Sequence, residues 1–599
     1  MIPAIIAIIF SLIFPVTSSG QPNYIDYYYP ANNSNYVLPV SNISFTFRFK
    51  ISENFRNNLE LTLTGEKSGK ITGRLNLLRN ERTVNFSPDK FFINGDEISV
   101  KIYYKISVKD KILLKEFSFT ISEKIMSGKE SAGIVDAINS DMLPVSETTT
   151  GLTKLNSGPL PATFPFINIT TNTNPARGKI FCSNISPLDS NIPYLMILEN
   201  NGNPVFYRRM KATCTDFKEQ PNGLLTYFTT GSRKFYGMDS TYTIIDSFYC
   251  GNGYQNDVHE LRLLPDGNAL LLAMDPQVVD MSKIFPGGKT DAVVVGAIIQ
   301  EIDQDKNVVF QWRSWDHFNI TDAEHIDLTA STIDYVHANA LEIDYDGNIL
   351  LSSRHLSEIT KINRETGKII WRLGGKNNQF TFINDSIGFS YQHAIRRTKS
   401  GTYTLFDNGN YHTPPFSRAV EYKIDDYEKT AKLIWEYRNS PLSFSPALGY
   451  VDRLDNGNTT VSWGMSDHTF SEINTLGQKV YEFKFNEGIY SYRIIRNKWK
   501  ENKPVQQQRN AEGIVAYQNF PNPFNSNTIF TIDLPEKSVL SLKIYNILGE
   551  VVALVVNDKF FNAGKNIIRF DASGFSSGVY FYQFIAGGDI RTNKMIILK

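Results

Sequence analysis

Between residues 36 and 125, apolar and polar side chains alternate in short runs: "ISFTFRFKI" at 43–51, "LELTLTG" at 59–65 and "EISVKIYYKISV" at 97–108, parted by Gly, Asn and Pro. A period of two places alternate side chains on opposite faces of a half-buried strand, so residues 21–128 are predicted to form a small all-β sandwich. Residues 126–160 are rich in Ser, Thr and Gly and lack sustained periodicity, which reads as a linker over 129–160. From about 165 to 505 two patterns recur. One is a turn followed by an apolar strand, in "PNGLLTYF", "PDGNALLLAMD", "YDGNILLSSR", "KSGTYTLFDN" and "DNGNTTVSWG", with glycines at 223, 267, 347, 401 and 457. The other ends in an aromatic residue, in "EIDQDKNVVFQW", "KINRETGKIIWRL", "YKIDDYEKTAKLIWEY" and "EINTLGQKVYEF". A repeat of about 45 to 55 residues holding several strands is what a propeller blade looks like in sequence. Five such units are visible in a domain of 161–505, and the wide gap between Gly267 and Gly347 marks an insertion in one of them. A polar break, "KENKPVQQQRNAE" at 500–512, supplies a second linker over 506–514, and 515–599 form a further strand-rich module.

Charge changes the picture little, which is itself informative. Lys plus Arg and Asp plus Glu number 61 each, so no global basic field exists to attract nucleic acid or anionic lipid, and partners must be found by local sites. The opening "MIPAIIAIIFSLIFPVTSSG" is a short apolar stretch ending in small residues and reads as a signal peptide over 1–20. No later window approaches 18 apolar residues, so the exported chain is not expected to be an integral membrane protein. Cys182, Cys214 and Cys250 show no Cys-x-x-Cys or Cys/His spacing. They leave two readings open, one disulfide or three buried thiols.

Position within the repeat singles out three of the eight histidines. His259 and His393 each stand eight residues before their turn glycine, and His337 stands ten before Gly347. The matching places in the flanking units are Thr215 and Gly449, so the repeat itself does not demand histidine. Equivalent positions of successive blades lie around one axis, and the three imidazoles are expected to meet there. A hairpin turning at Asp346-Gly347-Asn348 should return Arg354 and His355 to the level of His337, with only one of the two facing the same way because strand side chains alternate. The same geometry is expected to bring Met274 and Asp275 to His259, and Asp407 and Asn408 to His393. His317, His325, His412 and His468 fall outside the register and read as surface or structural.

Imidazoles beside a guanidinium suit transfer of an anionic group. Arginine matches tetrahedral oxyanions, and imidazole serves as nucleophile or proton donor near neutral pH. The rival chemistry is a three-histidine zinc site, which Arg354 at the same level opposes. No metal and no other cofactor is expected.

"DVHELRLLPDGNALLLAMD", "DYVHANALEIDYDGNILLSSRH" and "FSYQHAIRRTKSGTYTLFDNGN" resemble the signature regions of bacterial arylsulfate sulfotransferases over roughly residues 36–500. The resemblance implies an N-terminal β-sandwich and a six-bladed propeller. It implies an enzyme that moves a sulfuryl group from a phenolic sulfate donor to a phenol acceptor without a nucleotide. By motif, His393 of Tyr-Gln-His would become transiently sulfated, His259, His337 and Arg354 would hold the sulfuryl oxygens, and Asn339 and His355 would support substrate binding. "YQNFPNPFNSNTIFTIDLP", "LKIYNILGEVV" and "AGKNIIRFDASGFSSGVYFYQF" resemble the sorting domain read by the type IX secretion machinery over about 515–599. That implies a small β-sandwich and a destination outside the cell or on the outer-membrane surface. An aryl sulfatase using water and a propeller that binds a ligand or glycan without chemistry are the alternatives. A redox propeller with a quinone ranks below both. The physiological substrates and the oligomeric state, a homodimer included, stay open.

Overall fold

The computed structural model describes residues 24–140, 160–185, 192–499, 515–519, 521–534, 537–562, 564–586 and 589–599. The signal-peptide stretch and most of both linker stretches lie outside these residues. The described residues are 50% strand and 5% helix, as the alternating patterns require, and the chain divides into two compact units at Lys500.

The first unit begins with two sheets that face each other across one apolar core. One sheet runs Ile25–Tyr29, Ile43–Phe47, Thr83–Pro88, Gly73–Leu77, and the other Ser34–Val37, Lys111–Ile121, Glu97–Lys105, Leu59–Gly65, Gly69–Ile71. Phe45, Phe47, Val84, Ile98, Val100, Ile102 and Phe119 fill the space between them at 0–1% exposure, so the alternation read from sequence puts every second residue inward. The segment read as a linker instead starts with a helix, Gly128–Ser140, because Val135 at 1% exposure finds Met274 and Val295 to pack against.

Residues 168–497 build six successive, mainly antiparallel sheets, each starting from a new first strand: Lys179–Ser183, Cys214–Glu219, Gln255–Leu263, Ala338–Ile343, His393–Arg397 and Tyr450–Arg453. Each first strand packs against the next one in this order. Strand Asn168–Asn172 completes the sixth sheet, and Ile495–Asn497 completes the first, so the two ends of the run are exchanged. An apolar cluster lies between the first and second sheets (Phe181, Leu195, Phe217, Leu225), and another joins the sixth to the first (Phe470, Tyr481, Phe483, Ile180, Met196). The repeated turn has one cause. Gly223, Gly267, Gly347, Gly401 and Gly457 all adopt φ between 80° and 87°, which a side chain bearing Cβ resists.

The expected insertion lies in and after the third sheet, whose strands Ala269–Val279 and Ala292–Ile302 are 11 residues long. It returns through Thr332–Asp334, which pairs in parallel with Val293–Val295 and delivers Asp334 beside His337. The N-terminal sheets dock on this third sheet. Tyr27 Oη donates to Gln311 O (2.9 Å) and accepts from Gln311 N (2.8 Å), and Arg313 Nη2 donates to the carbonyls of Asn35 and Tyr36.

The three thiols resolve the open question. Cys182, Cys214 and Cys250 are buried and unpaired, and burial raises each thiol above its ordinary range. Among the described residues no helix is long and apolar enough to cross a membrane. The second unit holds a three-stranded sheet around Asn527–Leu534 and a four-stranded sheet around Ser538–Tyr545. They share a core of Phe530, Ile532, Leu540, Leu542, Ile544, Tyr582 and Phe584.

Candidate active site

The starts of three first strands converge. The ring centroids of His259 and His337 lie 5.2 Å apart, those of His259 and His393 6.5 Å, and those of His337 and His355 4.7 Å. His259, His337 and His393 are 1–3% exposed. The side-chain nitrogen Nε2 of His337 and of His393 is buried without a protein partner.

Bulges, more than plain hairpin register, aim these rings. In the third sheet Asn256 pairs with Ala273 and Leu261 with Leu271, so four residues including His259 stand opposite one. The expected partnership of His259 with Met274 and Asp275 therefore does not form. Met274 pairs with Gln255, and Asp275 accepts from Gln277 Nε2 (2.6 Å) instead. The fifth sheet slips between His393 and Arg396, with Ala394 at φ 60°, and His393 pairs with Phe406. His337 itself stands at φ 49°. Such left-handed positions at a convergent polar cluster are uncommon outside functional sites.

Arg354 meets His337 as the hairpin geometry requires, its backbone N donating to His337 O (3.0 Å). Arg354 and His355 nevertheless lie on the same side, because the strand ends at Ser353 and the chain has already entered a turn. Arg354 Nη1 donates to His355 Nε2 (2.7 Å), Nη2 donates to Pro446 O (3.0 Å), and the guanidinium sits 4.3 Å from the centre of the Tyr391 ring. His355 Nδ1 donates to Asp334 O (2.5 Å), so both of its nitrogens are occupied within the protein.

Each of the three central imidazoles is held through Nδ1 by a different residue. His259 donates to Asp257 Oδ1 (2.5 Å), His337 to Asp334 Oδ2 (2.6 Å) and His393 to Asn408 Oδ1 (2.8 Å). Burial first, then the charges of Arg354 and His259, hold His393 well below the ordinary imidazole range. Burial likewise lowers His337, followed by His259 and Arg354. His355 is driven to about 3, chiefly by burial. His337, His355 and His393 therefore stand neutral beside one guanidinium, a setting that attracts an anion and leaves the Nε2 lone pairs of His337 and His393 available.

Asn339, fully buried, sits under His393. Its Nδ2 donates to Gln392 O (2.8 Å) and its Oδ1 accepts from Ala394 N (3.4 Å). Gln392 Nε2 reaches Ser352 Oγ and the carbonyls of Ser353 and Glu358, which explains Tyr-Gln-His physically. Tyrosine backs the arginine, glutamine ties two sheets together, and histidine faces the cluster. Beneath Asn339, Arg493 Nη2 and Tyr492 Oη donate to its carbonyl, and Arg493 also pairs with Asp216 and Glu260 (2.9 Å each).

The expected approach of Asn408 to His393 forms, whereas Asp257 and Asp334, the partners of His259 and His337, lie only two and three residues before their histidines, a local contact that hairpin register does not reveal. Asp334, His337 and His355 offer ligand atoms within 4.8 Å of one another. The Nδ1 atoms of both histidines are engaged with Asp334 and Arg354 lies alongside, so this is a poor cation site. His412 is structural, with Nε2 on Asp407 Oδ2 (2.8 Å). His317 stacks on Trp312 (4.7 Å) and His468 holds Glu482 (2.9 Å). His325 is exposed and stacks on Tyr411 at 3.4 Å, and Tyr411 meets Tyr391 edge-on at 4.9 Å.

The sequence model described as Arylsulfotransferase (ASST) matches residues 168–513, and that of the Secretion system C-terminal sorting domain matches 518–598. Two curated relatives carry the name arylsulfate sulfotransferase. The one from Escherichia coli O6:H1 is 28% identical over 200 residues, and that from Lelliottia amnigena is 31% identical over 199. Each match covers 26% of this chain and 33% of the relative, so the aligned part spans about a third of the relatives' length. Among solved structures, a virginiamycin B lyase from Staphylococcus aureus aligns over 53% of this chain and 88% of its own at 8% identity, with a TM-score of 0.30.

Proposed function

This chain belongs to the arylsulfotransferase family, and from that premise we propose that it transfers a sulfuryl group from an aryl sulfate ester to a phenol through a sulfated His393. The observation that carries the reading is the buried, unpartnered Nε2 of His393 beside Arg354, His259 and His337. We read the six sheets as the blades of a propeller whose first strands line the axis, which is why residues so distant in sequence share one mouth.

In the first half-reaction the lone pair of His393 Nε2 attacks sulfur. The S–O(aryl) bond breaks, and its electron pair leaves on the phenoxide. His259, held through Nδ1 by the carboxylate of Asp257, enters protonated at Nε2 and gives that proton to the phenoxide. In the second half the acceptor phenol returns a proton to the same imidazole as its oxygen takes the sulfuryl group and the S–N bond breaks. Arg354 and the flanking imidazoles bear the charge on the three sulfuryl oxygens, the largest contribution a site of this kind makes. Asn339 holds the bulge on which His393 sits, and His355 acts through Arg354. The ring series Tyr391, Tyr411, His325 runs from Arg354 outward and suits the aryl group. The C-terminal unit supports export through the type IX machinery to the cell surface or the medium, following cleavage of a signal peptide.

The test is release of phenol from a chromogenic aryl sulfate by the full chain, with and without an added phenol, alongside His393→Asn. Release that the added phenol accelerates and the variant abolishes is expected. Release indifferent to phenol but lost in the variant makes the protein a sulfatase, and release that survives in the variant removes His393 from the chemistry.

A further inference from the structure

The three imidazoles look alike in sequence but are held differently. His259 and His337 each donate Nδ1–H to a carboxylate, at 2.5 Å from Asp257 and 2.6 Å from Asp334. His393 donates to a neutral amide, Asn408 Oδ1, at 2.8 Å.

That amide has only one workable orientation. Asn408 Nδ2 lies 2.9 Å from Ser445 O and 2.9 Å from Leu448 O, both carbonyls that only accept. Turning the amide over would face its oxygen to two carbonyl oxygens and its NH2 to His393. Oδ1 must therefore face Nδ1, and an oxygen there obliges Nδ1 to carry the proton. Asn408 is 0% exposed, so water cannot take over either role. With Nδ1 protonated and the ring neutral, the lone pair stands on Nε2, the atom that is buried without a partner.

We propose that Asn408 is a positioning residue that fixes His393 as the neutral Nδ1–H tautomer, with its lone pair on Nε2 ready to attack sulfur, while the carboxylate of Asp257 on Nδ1 suits His259 to carry the proton. The inference rests on the sulfuryl-transfer reading for its chemistry, but not for the tautomer. A carboxylate on Nδ1 stabilises imidazolium, which has no lone pair. An amide stabilises the same N–H without favouring the charged ring. When Nε2 takes the sulfuryl group, Nδ1 keeps its hydrogen and Asn408 Oδ1 continues to accept it, so no proton leaves His393 in either half-reaction. The titratable and charged groups facing His393 are Arg354, His259 and His337, and all three oppose a second positive charge there.

Imidazole 15N spectra of the full-length protein labelled at histidine test this directly, with His393→Asn assigning the resonance. A protonated Nδ1 and a lone pair on Nε2, unchanged from pH 8 to pH 5, are expected; the opposite tautomer, or a ring that protonates in that range, overturns the proposal. The second arm is Asn408→Asp, which gives His393 the partner its neighbours have. The acid limb of kcat/KM with pH should then move up by about one to three pH units, whereas a purely structural role lowers activity equally at every pH. If Asn408→Asp does not fold, the spectra of the unaltered chain decide alone. Loss of activity in His393→Asn with the wrong tautomer refutes Asn408 alone, and retained activity in that variant refutes the transfer reading while the tautomer stands or falls by its spectrum.

Discussion

Arg354 Nη1 lies 2.7 Å from His355 Nε2, and Nδ1 of the same ring is committed to Asp334 O, so this histidine serves the arginine and offers no nitrogen to a ligand. An arginine fixed by His355, Pro446 O and the Tyr391 face holds its guanidinium in place before an anion arrives. Such preorganisation is what makes a charge effective in a transition state.

Replacing His355 by Phe keeps a ring between His337 and Tyr391 and removes the acceptor for Arg354 together with the Nδ1 donor to Asp334 O. Since a misplacement of about 1 Å can cost about 100-fold in rate, kcat should fall by about that factor with little change in KM. Arg354→Lys, which cannot serve both acceptors, should lose about 100- to 1,000-fold. Steady-state kinetics on the two variants decide, and a His355→Phe enzyme as fast as the unaltered one would show that Arg354 needs no such support.

Much of this was legible in sequence because turn glycines and histidine register survive as local patterns. "YDGN" set the hairpin that brings Arg354 to His337, and the equal spacing of His259 and His393 from their glycines marked equivalent places. What the sequence concealed was non-local or irregular. A bulge of four residues against one turned His259 away from Asp275 and toward Asp257, and period-two counting cannot register such a bulge. Asp334 arrives on a strand that ends the insertion, and the amide of Asn408 is oriented by carbonyls at 445 and 448 that no motif announces. The helix at 128–140 has no clear signal in its Gly- and Ser-containing sequence, because one buried face against the third sheet sustains it.

Under the site lies an ion network. Arg493 bridges Asp216 and Glu260, Lys218 pairs with both carboxylates, and Arg396 pairs with Glu260. Asp216, Glu260 and Arg493 are 0–1% exposed. Removing one member strands the others in a medium of low polarity, so Arg493→Met should destabilise the first unit by about 3 to 5 kcal/mol. Urea unfolding of the variant measures this, and a loss below about 1 kcal/mol would mean that Lys218 and Arg396 compensate unaided.

The aromatic series gives a prediction about binding alone. Tyr411 is 45% exposed and joins His325 to Tyr391. If it forms the wall against which the aryl group lies, Tyr411→Ala removes an aromatic contact worth about 1 kcal/mol and raises KM for aryl substrates by about 5- to 10-fold with kcat nearly unchanged. An unchanged KM for both donor and acceptor would place the aryl group elsewhere.

Acid should loosen the first unit through its buried neutral rings. His355 stays unprotonated in the folded chain down to about pH 3, whereas an unfolded histidine takes up its proton near pH 6.5. Between these values the unfolded chain binds more protons, so stability rises with pH there. The contribution of this group is complete above about 6.5 and is lost as pH falls toward 3, at up to about 1.4 kcal/mol per pH unit. Carboxylates elsewhere add an acid dependence of their own, so the informative quantity is the difference between two proteins. Urea unfolding between pH 7 and pH 4 should show a slope shallower by about 1.4 kcal/mol per pH unit in His355→Phe, which has no proton to take up at that position. Equal slopes in the two proteins would mean that His355 is protonated in the folded chain and that its bond from Arg354 does not persist in acid.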